Sequence, residues 1–151
     1  VKGWLLDTNV IAALISPNGA PSVKQWAAAQ DEALFHISVL TIGEYEKGIA
    51  NLDTDDPRRL AYSSVRDRLL ERFSVRVLPV SDAVVRRWGT ITGTVRRLTG
   101  HPPPVIDTLL AATALEADLC LVTRNIRDVA DSGATLFNPW NDGAHAPRSG
   151  P

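Results

Sequence analysis

The 151-residue sequence holds a single cysteine, Cys120, so no internal disulfide can form. Its place in the apolar run Leu119-Cys120-Leu121-Val122 reads as a buried, inert thiol in a reducing compartment. No apolar stretch approaches the roughly 18–20 residues that a bilayer crossing needs, and the first residues lack the basic, apolar and small-residue sections of a secretory signal. The expected location is the cytoplasm, with no membrane partner. Basicity is missing too: 16 Lys and Arg against 17 Asp and Glu leave a net charge of −1. Nucleic acid cannot then be held by overall charge and would need a local patch. Neither G-x-x-x-x-G-K-[ST] nor G-x-G-x-x-G occurs, which argues against P-loop nucleotide hydrolysis and dinucleotide redox chemistry. A G-x-S-x-G elbow, a zinc-binding Cys/His spacing and H-E-x-x-H are absent as well.

What is present is a chain of one-domain length, 44% hydrophobic and 22% charged, enough to bury a core without staples. Its basic residues are mostly arginines and often adjacent, as in Arg58-Arg59, Arg86-Arg87 and Arg96-Arg97; each pair alone fits a solvated helix face. Trp4-Leu5-Leu6 reads as a buried strand, broken at Asp7-Thr8-Asn9 before an apolar helix over 10–15. A helix is expected over 23–30, a strand over 34–39 and a helix over 41–52. The arginine-rich stretch 57–73 reads as a helix with Leu60, Val65, Leu69, Leu70 and Phe73 on its apolar face. A strand over 75–80, a helix capped by Ser81 and running to about 98, and a stiff polyproline-like link at 100–104 follow. An alanine-rich helix over 105–117, a strand over 119–123 and a short strand at 135–137 complete the set, with a flexible tail over 141–151. Strands alternating with helices predict an α/β fold with a mainly parallel central sheet.

In such sheets ligands bind outside the carboxyl ends of the strands, and the acids found there are the candidate site. Asp7 follows the first strand, Glu44 is expected in the first turn of the helix after the second, and Asp107 in the first turn after the proline link. Thr123-Arg124-Asn125 with Asp128 follows the last apolar strand. Each has a plain alternative: Asp7 or Asn9 as a helix cap, Thr41 and Glu44 as a capping box, Asp107 as a dipole-favoured acid, Asn125 and Asp128 as turn residues. Gathered in one cleft, however, the carboxylates would repel one another unless a cation neutralised them. All-oxygen ligation points to Mg²⁺ or Mn²⁺, and thence to phosphate chemistry.

The ordered segments Leu5-Leu6-Asp7-Thr8-Asn9-Val10, Thr41-Ile42-Gly43-Glu44-Tyr45-Glu46-Lys47-Gly48, Val105-Ile106-Asp107-Thr108-Leu109-Leu110-Ala111-Ala112-Thr113-Ala114, Val122-Thr123-Arg124-Asn125 with Asp128, and Phe137-Asn138-Pro139-Trp140 resemble the PIN-domain ribonucleases. Within these the likeness is to the VapC toxins of type II toxin–antitoxin pairs, including the FitB-like branch. The resemblance implies a three-layer α/β/α sandwich over 1–140 in which Asp7 and Asp107 are the main ligands of Mg²⁺ or Mn²⁺. Glu44 would hold a water on the ion or a second ion. The fourth position would fall to Asp128, with Asn125 as a neutral ligand or water-positioning group. It further implies cleavage of transfer or ribosomal RNA, a homodimer and a cognate VapB-type antitoxin. Arg124 and Arg127 beside the acids are candidates for holding the RNA backbone. An aspartate-nucleophile phosphatase is the competing enzyme class, although it calls for a second aspartate where Asn9 stands. A non-catalytic RNA- or protein-binding domain of the same fold is the third possibility.

Overall fold

Trp4–Leu6 forms β1, with all three residues buried, and alternation along it divides the interior into two halves. Trp4 and Leu6 join one apolar cluster and Leu5 the other. The computed structural model describes residues 1–141, so the sequence-predicted tail lies almost wholly outside the described residues. After β1 come α1 (Thr8–Ile15), α2 (Pro21–Ala28), β2 (Phe35–Ser38), α3 (Val39–Ala50) and α4 (Arg58–Phe73). The second half contains β3 (Val77–Leu78), α5 (Asp82–Thr99), α6 (Val105–Ala117), β4 (Cys120–Val122), α7 (Ile126–Val129) and β5 (Leu136–Phe137).

The five strands form one sheet in the order β3-β2-β1-β4-β5, and every pairing is parallel. A parallel sheet needs a cover on both faces. On one side Trp4, Leu6, Phe35, Ile37, Val122 and Phe137 pack with Val10 and Ile11 of α1, Trp26 of α2 and Leu69 and Phe73 of α4. The Trp4 and Trp26 rings meet edge to face, 5.1 Å between centroids. On the other, Leu5 and Leu121 pack with Leu110, Ala111 and Ala114 of α6 and Val129 of α7. The result is the three-layer α/β/α arrangement, with the sheet wholly rather than mainly parallel.

Boundaries moved where side chains compete for backbone N–H groups. The strand expected over 34–39 stops at Ser38, whose hydroxyl accepts from the Leu40 N–H at 3.0 Å and so caps α3. The helix therefore starts before Thr41, and Thr41 is a fully buried residue inside it. The expected Thr41–Glu44 capping box does not exist, and Glu44 stands in the second turn rather than the first. The strand expected over 75–80 shortens to Val77–Leu78, its first two residues lying in a 3₁₀ turn at Ser74–Arg76 and its last two in the loop before α5. On α4, Leu69 and Phe73 are buried as expected, but Leu60 and Leu70 are exposed at 76% and 44%. The buried stripe follows Val65, Leu69 and Phe73 at i, i+4 spacing. Ser81 caps α5 through the Val84 N–H at 3.2 Å, as expected.

Two glycines differ in what they tolerate. A Cβ built at Gly19 would lie 1.8 Å from the Ala13 carbonyl oxygen, whereas one at Gly89 on α5 would meet nothing within 4 Å. Gly19→Ala should lose about 1–3 kcal/mol of unfolding free energy to forced backbone displacement. Gly89→Ala should gain about 0.5–1 kcal/mol from helix propensity. Urea unfolding of the two variants beside the parent checks both signs.

Candidate active site at the sheet's switch point

The chain lays β2 and β3 on one side of β1 and then returns to lay β4 and β5 on the other. Such a reversal opens a crevice beyond the carboxyl ends of the two diverging strands. Leu6 pairs with Val122, so the next residues, Asp7 and Thr123, emerge side by side at that crevice. The Asp7 N–H still donates to the Val122 carbonyl at 3.0 Å. Asp7 is 8% exposed and serves as the N-cap of α1, its Oδ1 accepting from the Thr8 N–H at 2.6 Å. Its Oδ2 accepts from the Thr123 hydroxyl at 2.7 Å. Thr123 is itself 1% exposed, and its Oγ1 accepts from the Asn125 N–H at 3.0 Å.

The plain alternative for Asp7 therefore holds: it caps α1, and the same carboxylate also bonds across to Thr123. The cap occupies Oδ1, while Oδ2 is oriented by a residue 116 positions away. A second polar link, missed by sequence reasoning, joins the Thr8 and Thr41 hydroxyls at 3.0 Å and ties α1 to α3. No local sequence signal marks it, since Thr41 read by itself fits a helix cap.

Glu44, half-buried on α3, and Asp107, half-buried in the first turn of α6, complete the cluster with exposed Asp128. Burial, then the charges of Asp7 and Asp128, and more weakly Glu44, push the Asp107 carboxyl up to about 6, against a side-chain hydrogen bond from Asn125 that lowers it. Burial likewise raises Asp7, opposed by the hydrogen bonds from Thr123 and Thr8 and reinforced by Glu44. The structure therefore brings Asp7, Glu44, Asp107, Asp128 and Asn125 into one electrostatic neighbourhood. Asn125 contacts Asp107, whereas Asp128 acts on it by charge. None of the ion pairs among the described residues involves these four acids. Arg124 and Arg127 are exposed on the stretch from β4 into α7, and neither forms an ion pair among the described residues. The Arg124 guanidinium lies over the Trp140 ring, 5.2 Å from its centroid. Cys120 is buried and its thiol is pushed up to about 12, which makes it the inert residue expected. No described helix is long and apolar enough to cross a membrane.

An α/β/α domain with carboxylates gathered at its switch point has its candidate site where open α/β sheets bind ligands. The family model for the PIN domain matches residues 4–131, and the chain belongs to the PIN domain family. Toxin FitB of Neisseria gonorrhoeae is 27% identical over 138 residues, spanning 91% of this chain and 99% of that protein. VapC ribonuclease Y4jK of Sinorhizobium fredii is 26% identical over 136 residues, 90% of this chain and 96% of that one. The solved structure of FitAB bound to a DNA fragment, IR36, superposes with a TM-score of 0.80 at 26% identity, covering 91% of this chain and 95% of its counterpart.

Raising Asp107 from the ordinary 3.8 to about 6 means that the folded state holds a proton the unfolded chain releases. Its effect on stability is nil below about pH 4, grows between about 4 and 6, and is fully unfavourable above that. In EDTA, Asp107→Asn should therefore gain stability relative to the parent progressively across that window, with the two unfolding curves converging at lower pH. Equal pH dependence in the two proteins would show that Asp107 does not carry the cluster's strain.

Proposed function

We propose that this chain is the toxin of a type II toxin–antitoxin pair, a VapC/FitB-type ribonuclease that cleaves RNA in the cytoplasm to inhibit translation. Its PIN domain would comprise residues 1–140. The observation that carries this reading is the set of four acids, in no ion pair among the described residues, at the switch point of a PIN-family sheet. The names of the relatives, a toxin and a VapC ribonuclease matched over nearly their full length, support the activity. The FitAB structure supports a partner protein of the VapB antitoxin type. The resemblance also implies a homodimer, and transfer or ribosomal RNA as substrate.

The donor set fits a divalent cation of the magnesium kind. Among the described residues no three Asp, Glu, His or Cys side chains converge to hold one ion by themselves. Mg²⁺, however, is normally held by one or two carboxylates and keeps several waters. Asp7 and Asp107 would hold Mg²⁺ or Mn²⁺, with Glu44 as the next acid across the cleft. Bound there, such an ion acidifies water and stabilises charge on a phosphodiester and its leaving oxygen. The chain's own part is positional. Thr123 keeps Oδ2 of Asp7 turned toward the cleft, the Thr8 N–H locks Oδ1, and Asn125 steadies the Asp107 carboxylate. Asp128 deepens the negative field, so that a cation rather than a free proton satisfies the cluster near neutrality.

The phosphatase alternative needs a carboxylate two residues beyond Asp7 as general acid. Asn9 occupies that place, its amide 3.5 Å from Oδ2 of Asp7, and cannot serve. Asp107→Ala is the cleaner test than Asp7→Ala, since losing Asp7 also removes a helix cap and orphans the buried Thr123 hydroxyl. Incubated with total cellular RNA and Mg²⁺ or Mn²⁺, the parent should give discrete cuts, mapped by sequencing the ends. EDTA should abolish them, and Asp107→Ala should reduce them on the order of a hundredfold or more. Undiminished cutting by Asp107→Ala, or cutting in EDTA, would overturn the assignment.

A further inference from the structure

We propose that Arg124 and Trp140 form a phosphate clamp, in which the indole holds the guanidinium outside the carboxylate cleft and presents it to the backbone of the RNA strand. This rests on the ribonuclease reading above and adds a positioning pair to it. Trp140 lies beyond residues 4–131, the span matched by the PIN model, in the Phe137-Asn138-Pro139-Trp140 segment that carries part of the family resemblance.

The geometry comes from both ends of the contact. Arg124 directly follows Thr123, the residue that orients Asp7, and its N–H faces Oδ1 of Asn9 at 3.5 Å. Its backbone is therefore fixed at the lip of the acid cluster. A long, exposed arginine so close to several unpaired carboxylates would be expected to fold onto one of them, since a bidentate guanidinium–carboxylate pair is among the stronger polar contacts. It does not: no described ion pair includes Arg124, and its guanidinium lies 5.2 Å from the Trp140 ring centroid. That is within the range of cation–π attraction.

Trp140 is itself held. Its backbone N–H donates to Oδ1 of Asn138 at 2.9 Å, Asn138 is 6% exposed, and the half-buried indole packs against the core cluster containing Trp4 and Phe137. Stacking leaves the N–H edges of a guanidinium free to donate. An arginine held in this way keeps its donors for an anion while leaving the acids open to a cation. In a nuclease cleft the anion at hand is a backbone phosphate of the bound strand. Phosphate contacts position a nucleic acid without reading its sequence, so the pair sets register and affinity rather than choice of target.

The test uses the Asp107→Ala protein, in which cutting is slowed on the order of a hundredfold or more under the reading above, and a short fluorescein-labelled single-stranded RNA followed by anisotropy in Mg²⁺ over a range of NaCl. Adding Arg124→Ala should weaken binding and lower the slope of log K against log[NaCl] by about 0.7, the counterion release of one single-strand phosphate. Trp140→Leu should give the same loss of slope, and combining the two should add nothing further. Arg124 is exposed, so its variant carries the test even if Trp140→Leu fails to fold. An unchanged slope and affinity in Arg124→Ala would overturn the clamp and leave the ribonuclease reading standing. Failure of the parent to bind RNA would overturn both.

Discussion

The parallel register of β1 with β4 sets Leu6 beside Val122, and every polar contact at the cleft descends from that alignment. One residue further along, Asp7 and Thr123 leave the sheet together and bond at 2.7 Å. From Thr123 the order passes to Asn125 and to Asp107, and through Arg124 to Trp140. A slip of one residue would turn the strand's apolar side chains to the opposite face. Burial of Trp4 and Leu6 on one side and Leu5 on the other resists it. The hydrophobic division of a three-residue strand is thus what aims the carboxylate.

The same interior explains how the acids come so close. Ala111, Ala112 and Ala114 on α6 are completely buried, and their small side chains let the helix settle tightly on the sheet. Its first turn then carries Asp107 to within the electrostatic reach of Asp7. The resulting repulsion is a cost the fold accepts at one place, as functional clefts commonly do, and well-packed cores on both faces of the sheet offset it. Elsewhere the chain behaves conventionally: Glu32, Glu46, Asp56, Asp82 and Glu116 each lie within ion-pair distance of an arginine. The arginines divide accordingly. Arg58, Arg86 and Arg87 face carboxylates of the chain itself, whereas Arg124 faces an aromatic ring.

Much of the architecture was readable from local pattern. The alternation of strands and helices, the Ser81 cap and the buried alanine-rich helix all follow from periodicity and capping chemistry. Errors arose where two serviceable caps competed. Thr41 with Glu44 matches a capping box as a string, yet Ser38 captures the Leu40 N–H first, and Glu44 is freed from the helix terminus to face the cleft. The short helix at Ile126–Val129 went unseen because four residues carry too little periodicity to register.

Residue order alone therefore determined which acids stand at strand ends, the parallel α/β class and the absence of other common catalytic motifs, since each of these is written in short-range spacing. The shared electrostatic neighbourhood of Asp7, Glu44, Asp107 and Asp128, the link from Thr8 to Thr41 and the seat of Arg124 on Trp140 were decided only by the tertiary structure. Those contacts join residues far apart in the sequence, and their geometry depends on sheet order and packing distance, quantities that no local stretch of sequence contains.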